Sequence, residues 1–357
     1  MLAICVKRIV MKRAIIIGVT GQDGSYLAEL LLKRDYDVHG ILGAGRGYVG
    51  ENINGTHISA DGTRGALQYH TCDTSDARVL TGLIHAINPD EVYHFETRGS
   101  MNSKYDMREF SGDITGLSSM MVLEAVKQSG VESRYCQASS CGMYGSTPPP
   151  QNEISPYRPH TPHECANLMS HLSAVNYREA YELYASCAIL FNHESPRRGD
   201  IFVSRKITRS VARIKASEEQ YLILGDLNPE MDWGYAPEYV EVMSRMLERD
   251  RPGDYVIGTG ESHSVREFVE EAFSYAGLDW EEHVRIDPRY FRSLESNELR
   301  ADSARAREKL GWEPKIGFRD LVRIMVDADL RAQGLEPPGD GDRALAEMFP
   351  ERWWKTE

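Results

Sequence analysis

The run Ala14-Ile15-Ile16-Ile17 stops at Gly18, and a Gly-x-x-Gly-x-x-Gly turn, Gly18 to Gly24, opens a stretch with helical spacing. A short run that is apolar at every position suits a strand buried on both faces, as in a parallel sheet. In such a unit the first glycine makes the tight turn and the second lets backbone approach a pyrophosphate. The third lets the helix pack closely on the strand, and the helix start turns unpaired N–H groups toward phosphate. Strand before and helix after is the context that gives the spacing its meaning. On this reading Gly18, Gly21, Gln22, Asp23 and Gly24 form a dinucleotide-binding loop; a tight turn without a ligand is the alternative.

The alternation continues. Strands are expected over 37–42, 67–71, 91–95, 134–138 and 185–191, and helices over 25–33, 76–87, 117–127 and 168–184. Repeated β-α-β order predicts an α/β fold, a Rossmann-type doubly wound parallel sheet with a smaller C-terminal substrate-binding lobe. Residues 12–195 with parts of 225–260 would form the nucleotide-binding lobe, and 196–224 with 260–332 the smaller one. Residues 1–11 read as a disordered extension or a misplaced start. Residues 333–357 read as a loop-like tail whose Phe349, Trp353 and Trp354 dock on the body or a neighbouring subunit.

The chain has 357 residues and a net charge of −13, which argues against non-specific binding of nucleic acid or of an anionic membrane surface. No stretch is apolar enough to span a bilayer, and no signal-peptide pattern precedes the first strand. The six cysteines lack C-x-x-C pairing, so neither a disulfide framework nor a zinc ribbon is expected. His160, His163, Cys165 and His171 have no metal-site spacing, and no metal is expected. A cytoplasmic protein follows.

Longer motifs narrow the reading. The opening Gly18-Val-Thr-Gly-Gln-Asp-Gly-Ser-Tyr-Leu-Ala-Glu-Leu-Leu resembles that of the GDP-mannose 4,6-dehydratases, which are extended short-chain dehydrogenase/reductase enzymes. Ile189-Leu-Phe-Asn-His-Glu-Ser-Pro-Arg-Arg-Gly199, Phe202-Val-Ser-Arg-Lys-Ile-Thr-Arg209, Asp232-Trp-Gly234 and Asp287-Pro-Arg-Tyr-Phe-Arg292 agree as well. So does Lys309-Leu-Gly-Trp-Glu-Pro314, and the likeness covers residues 12–332. It implies GDP-mannose as substrate and a three-step reaction. Hydride leaves C4 for NADP, water is lost across C5–C6, and hydride returns to C6. It further implies a Tyr-x-x-x-Lys pair as C4 base and a Thr-Ser-Glu turn as proton shuttle.

The chain departs from the family at those positions. The turn reads Gln137-Ala-Ser-Ser140-Cys141-Gly142-Met-Tyr-Gly145, so Ser140 keeps a hydroxyl while Cys141 and Gly142 replace Ser and Glu. His163 stands in place of the Tyr and Asn167 in place of the Lys. Gly43-Ala44 replaces the arginine pair that the resemblance assigns to the NADP 2′-phosphate, and Glu96-Thr97 replaces small residues beside the cofactor, where the Glu96 carboxylate is unfavourable unless paired, for which Arg98 is the candidate. Asp73 survives at the adenine-contacting position. NAD(P) is therefore left open, with weak or absent NADP binding expected.

The sugar-nucleotide side is retained. Asn192 would face the sugar and diphosphate, Arg198, Lys206 and Arg209 would offer cations to the diphosphate, and Arg292 with Glu295 suits diphosphate, guanine or ribose contacts. Met231 replaces a usual Arg. In the altered site His163 is a candidate acid or base and Ser140 a donor to a substrate oxygen. Cys141 would be a nucleophile if His163 or a helix N-terminus lowers its pKa. Glu164 would orient His163 or compensate the helix dipole. The leading expectation is an enzyme on a GDP-linked sugar with epimerase, isomerase or lyase chemistry. The alternative is a catalytically inactive, dehydratase-like binding or regulatory protein, and an ordinary dehydratase ranks third. A homodimer through helices near Leu117 and Leu168 is implied by the resemblance; pairing with an active homologue is the other arrangement considered.

Overall fold

A computed structural model describes residues 11–43, 67–74, 76–95, 108–290 and 298–354. Its elements in the first half are β1 (Arg13–Ile17), α1 (Gln22–Lys33), β2 (Asp37–Gly43), β3 (Leu67–Cys72), α2 (Ala77–Ile87), β4 (Glu91–His94), α3 (Arg108–Ser129), β5 (Arg134–Ser140), α4 (Pro162–Tyr181) and β6 (Ala185–Leu190). Then follow β7 (Asn192–Glu194), α5 (Val203–Lys215), β8 (Leu222–Leu224), β9 (Glu230–Met231), β10 (Trp233–Tyr235), α6 (Ala236–Met246) and β11 (Asp254–Ile257). The chain closes with β12 (His263–Ser264), α7 (Val265–Tyr275), α8 (Trp280–His283), β13 (Val284–Ile286), β14 (Glu298–Leu299), α9 (Ala304–Leu310), α10 (Phe318–Ala332) and α11 (Asp340–Met348).

Seven strands form one parallel sheet in the order β11-β6-β5-β4-β1-β2-β3. Alternation along β1 explains why both faces are covered. Ala14 and Ile16 pack with Tyr26, Leu27 and Leu31 of α1 and with Tyr239 and Met243 of α6. Ile15 and Ile17 point the other way, into Leu80 and Ile84 of α2, Val122 and Val126 of α3, and Ala174 of α4. Side chains of period two, with helices on each side, are what a doubly wound sheet requires. The expected fold class is thus observed. Strand order reverses between β1 and β4, and a crevice at the carboxyl ends of the strands follows from that reversal. The glycine loop after β1, the Ser140 turn after β5 and the Asn192 segment after β6 all lie at that edge.

Smaller sheets serve the second half: β7 with β10, β8 with β13, and β9 between β12 and β14. The late strand β11 rejoins the large sheet beside β6.

Several helix limits differ from expectation for local reasons. α4 begins at Pro162, six residues before Leu168, because Thr161 and Glu164 form a capping box and proline occupies the first turn. α3 begins at Arg108 and α1 at Gln22. The tail is not only loop: it carries α11. Its first turn is capped by the buried Asp327 carboxylate, which accepts from the N–H groups of Gly339 (3.2 Å), Gly341 (2.9 Å) and Asp342 (3.2 Å). The aromatic tail docks as expected. Trp354 is buried edge-on to Tyr235, and Trp353 meets the ring of Tyr26 on α1 edge-on at 6.3 Å. The 1–10 extension lies outside the described residues.

Candidate functional site

The glycine loop has the geometry its spacing requires. Gly18 sits at φ 87°, in the left-handed region that only glycine adopts freely. A Cβ on Gly24 would stand 2.3 Å from the Gly18 carbonyl oxygen, so this contact admits no side chain. Gly21 caps α1 without any side-chain hydrogen bond to the first turn. The amide groups of that turn are therefore placed for an anion, and the cradle fits a dinucleotide pyrophosphate.

The side chains of α1 turn elsewhere, to the segment after β6. Gln22 Nε2 donates to the His193 carbonyl at 3.0 Å, and Ser195 Oγ donates to Gln22 Oε1 at 2.7 Å. His193 Nε2 lies 3.0 Å from Asp23 Oδ2, across 170 residues of sequence. Burial disfavours both charges, but their mutual attraction and hydrogen bond outweigh it, holding Asp23 low and His193 high. Arg197 continues the seam. It donates to Ser25 Oγ (3.2 Å) and Glu29 Oε1 (2.9 Å), with its guanidinium 4.0 Å from the Tyr26 ring centre. Asp23 was expected among cofactor-binding residues for its place in the loop; its carboxylate is used in this seam. His193, Arg197 and Glu29 were not singled out from sequence, since nothing local marks partners so far apart.

The Ser140 turn forms the other wall. Ser140 Oγ accepts from Gly142 N–H at 3.1 Å and caps the short turn Cys141–Tyr144. The Cys141 thiol lies 3.9 Å from Asn192 Oδ1, bringing the altered turn against the retained sugar-side segment. The lowered thiol pKa on which the nucleophile expectation depended is not found. Burial first, and then the Asp232 carboxylate, push the Cys141 thiol up to about 12, so it is neutral. Asp232 itself is committed to Thr259, Gly260 and Ala301 N–H groups at 2.8, 2.8 and 3.1 Å.

His163 and Asn167, one turn apart on α4, bond to each other: Asn167 Nδ2 is 3.1 Å from His163 Nε2. The Asn167 amide can donate to that nitrogen when the nitrogen carries no proton. His163 is exposed, whereas Asn167 is buried. Glu164 does not orient His163; it closes the capping box, accepting from His160 N–H (2.6 Å) and Thr161 N–H (3.1 Å). His171 is held between Ser139 Oγ (3.1 Å) and Tyr157 OH (3.0 Å), away from the other members of the His/Cys group.

The expected cations are placed unequally. Arg198 pairs with Glu194 at 3.1 Å and covers the Phe202 ring. Arg209 pairs with Asp200. Lys206 Nζ donates to the Ile223 carbonyl at 2.5 Å and lies 5.3 Å from the Tyr290 ring centre. Asp73 follows β3, where its carbonyl accepts from Asp76 N–H. Arg292, Glu295, Glu96, Arg98 and Ala44 lie outside the described residues. Among the described residues no three His, Cys, Asp or Glu side chains are grouped to hold a metal ion.

A family model described as GDP-mannose 4,6 dehydratase matches residues 15–325. The chain belongs to the GDP-mannose 4,6-dehydratase family. It is 44% identical over 324 residues to GDP-mannose 4,6 dehydratase 1 of Arabidopsis thaliana, covering 89% of this chain and 90% of that one. It is 39% identical over 345 residues to the human GDP-mannose 4,6 dehydratase, covering 91% and 93%. Among solved structures, UDP-glucose 4-epimerase of Thermotoga maritima with UDP-glucose superposes with a TM-score of 0.76 at 21% identity, over 91% of this chain and all of that one. The dTDP-glucose 4,6-dehydratase of Bacillus anthracis, in complex with NAD, gives 0.75 at 17%, over 91% and 98%. At these identities the two structures share the fold with this family member. Among the described residues no helix is long and apolar enough to cross a membrane.

Proposed function

We propose that this GDP-mannose 4,6-dehydratase family member is a GDP-sugar-modifying enzyme, with GDP-mannose as its first candidate substrate, working with changed proton-handling groups. The observation that carries the reading is the buried seam between α1 and the Asn192–Arg198 segment. It locks the dinucleotide loop to the stretch whose sequence matches the family's sugar-nucleotide motif, so the two halves of one site are held together. The sugar-nucleotide lobe is proposed to comprise 196–224 and 260–332, with Arg198, Lys206 and Arg209, and with Asn192 from the preceding strand, turned to the substrate. Ion pairs of Arg198 and Arg209 with Glu194 and Asp200 would be exchanged for diphosphate oxygens on binding.

The glycine loop suits NAD(P), with Gly18, Gly21 and the first turn of α1 on the phosphates; a bound nicotinamide would supply hydride transfer. Asn167 in place of a lysine removes a ribose-side cation, and weak NADP binding is expected. At the sugar, the exposed His163 imidazole accepts or donates a proton, and the Ser140 hydroxyl, whose oxygen already accepts from Gly142, donates its own hydrogen to a substrate oxygen.

The neutral Cys141 thiol favours a second reading, a catalytically inactive GDP-sugar-binding protein paired with an active homologue. We further propose a cytoplasmic homodimer through α3 and α4. These helices expose Leu117, Met169, Leu172 and Tyr181, and Met120, Cys165, Leu168 and Tyr177 line an apolar groove between them. The test is to incubate the protein with NAD(P) and GDP-mannose or related GDP-hexoses. Products are followed by mass spectrometry and binding by calorimetry. Turnover supports the enzyme. Tight GDP-sugar binding without turnover supports the second reading.

A further inference from the structure

The space beside Gly142 is filled from another element. A Cβ built on Gly142 would meet Glu164 Cγ at 3.2 Å and Ser140 Oγ at 3.4 Å. The acidic side chain of α4 therefore lies over the glycine of the Ser140 turn, and a larger residue there would crowd it by a few tenths of an ångström. The Glu164 charge is among those that raise the Cys141 thiol, which places the carboxylate near this wall of the site.

The two carboxylate oxygens differ. Oε2 accepts both capping bonds, from His160 and Thr161. Oε1 makes no hydrogen bond among the described residues. A carboxylate that spent both oxygens on the helix start would be purely structural. This one is anchored through one oxygen and half-exposed with the other unengaged. The Glu164 Cγ and the Ser140 hydroxyl flank the same Gly142 position, and the exposed His163 precedes Glu164 in the chain. An anchored carboxylate with one unengaged oxygen is suited to carry a proton.

We infer that Glu164 is a catalytic acid–base residue of this site, reaching the sugar through the gap that Gly142 leaves. The inference rests on the enzyme reading above. Oε1 takes a proton from a substrate C–H or O–H, making the neutral acid, and returns it to the substrate or to a departing hydroxyl, restoring the carboxylate. Protons balance within the turnover, and no further reactant enters.

The variants Glu164→Gln and Thr161→Ala separate this role from capping. Glutamine serves a capping box as glutamate does, so Glu164→Gln keeps the helix start and the melting temperature. Thr161→Ala weakens the cap but leaves the carboxylate. With GDP-mannose and related GDP-hexoses plus NAD(P) in deuterated water, turnover and deuterium at the sugar carbons are read across pH. The expected result is that Glu164→Gln lowers kcat by about 10²–10⁴-fold with little change in KM, and abolishes the carboxylate limb of the pH profile. Thr161→Ala should lower the melting temperature and keep that limb. Wild-type kcat in Glu164→Gln would overturn the inference while leaving the enzyme reading intact. So would parallel losses of rate and stability in the two variants. A wild-type protein that binds GDP-mannose but turns over none of these sugars would overturn both.

Discussion

The Asp23 carboxylate and the His193 imidazole meet at 3.0 Å and join the glycine-loop helix to the strand that begins at Asn192. Each is largely buried, and each holds the other in its charged form. Asp23 titrates below its ordinary 3.8, so its contribution is present above that value and is lost as pH falls through the lower folded one. His193 titrates above 6.5, so its contribution is complete below 6.5 and is lost as pH rises through the higher folded value. The pair is therefore strongest between these two ordinary values. Asp23→Asn should lower unfolding free energy by about 3 kcal/mol near pH 6 and by less near pH 9. Urea unfolding at both pH values checks this; an equal loss at both would show that the charge pair is not the cause.

Gly24→Ala tests the loop. Its Cβ would collide with the Gly18 carbonyl oxygen at 2.3 Å, a backbone contact that cannot swing aside. The variant should lose about 1–3 kcal/mol and bind NAD(P) more weakly than wild type. Thermal melts with and without NAD(P) provide the measurement, and a wild-type ligand-induced shift would refute it.

Glu238 adds a separate loss of stability with rising pH. Burial pushes its carboxyl up to about 7 despite N–H bonds from Lys315 and Ile316. Between 4.5 and about 7 the folded state holds a proton that the unfolded state has released, so stability falls as pH rises through this window. The wild type should lose roughly 3 kcal/mol across it, and Glu238→Gln should flatten that slope. Denaturant unfolding across the window decides the point.

Cys141 should be unreactive in the native protein. Cys141 is buried and its thiol lies near 12, whereas Cys165 is exposed on α4. Iodoacetamide at neutral pH should leave Cys141 of the native protein unmodified and label it once the chain is unfolded, read by peptide mass spectrometry. Rapid labelling of native Cys141 would restore it as a nucleophile.

Trp354, buried against Tyr235 and Phe349, anchors the tail. Trp354→Ala should cost about 3 kcal/mol. It should also expose Trp353, seen as a red shift in fluorescence, because the two indoles pack edge to face with ring centres 5.0 Å apart.

Much of the architecture was legible in the sequence because its signals are local. Ala14 to Ile17 reads as a buried parallel strand, and the glycine spacing reads as a tight turn into a helix, since a few neighbouring residues decide both. Apolar spacing alone starts helix α4 at Leu168, whereas the Thr161–Glu164 capping box, also visible in the sequence, sets its start at Pro162. The helix in the tail was hidden among glycines and prolines, because its cap comes from Asp327 on another helix. The site divides in the same way. Motifs brought out Ser140, His163 and Asn192 by position along the chain. The Asp23–His193 and Glu29–Arg197 pairs, the burial that keeps Cys141 neutral, and the placing of Glu164 over Gly142 depend on folding distant segments together. Charge pairing and desolvation are set by distance in space, so these were decided by the tertiary structure alone.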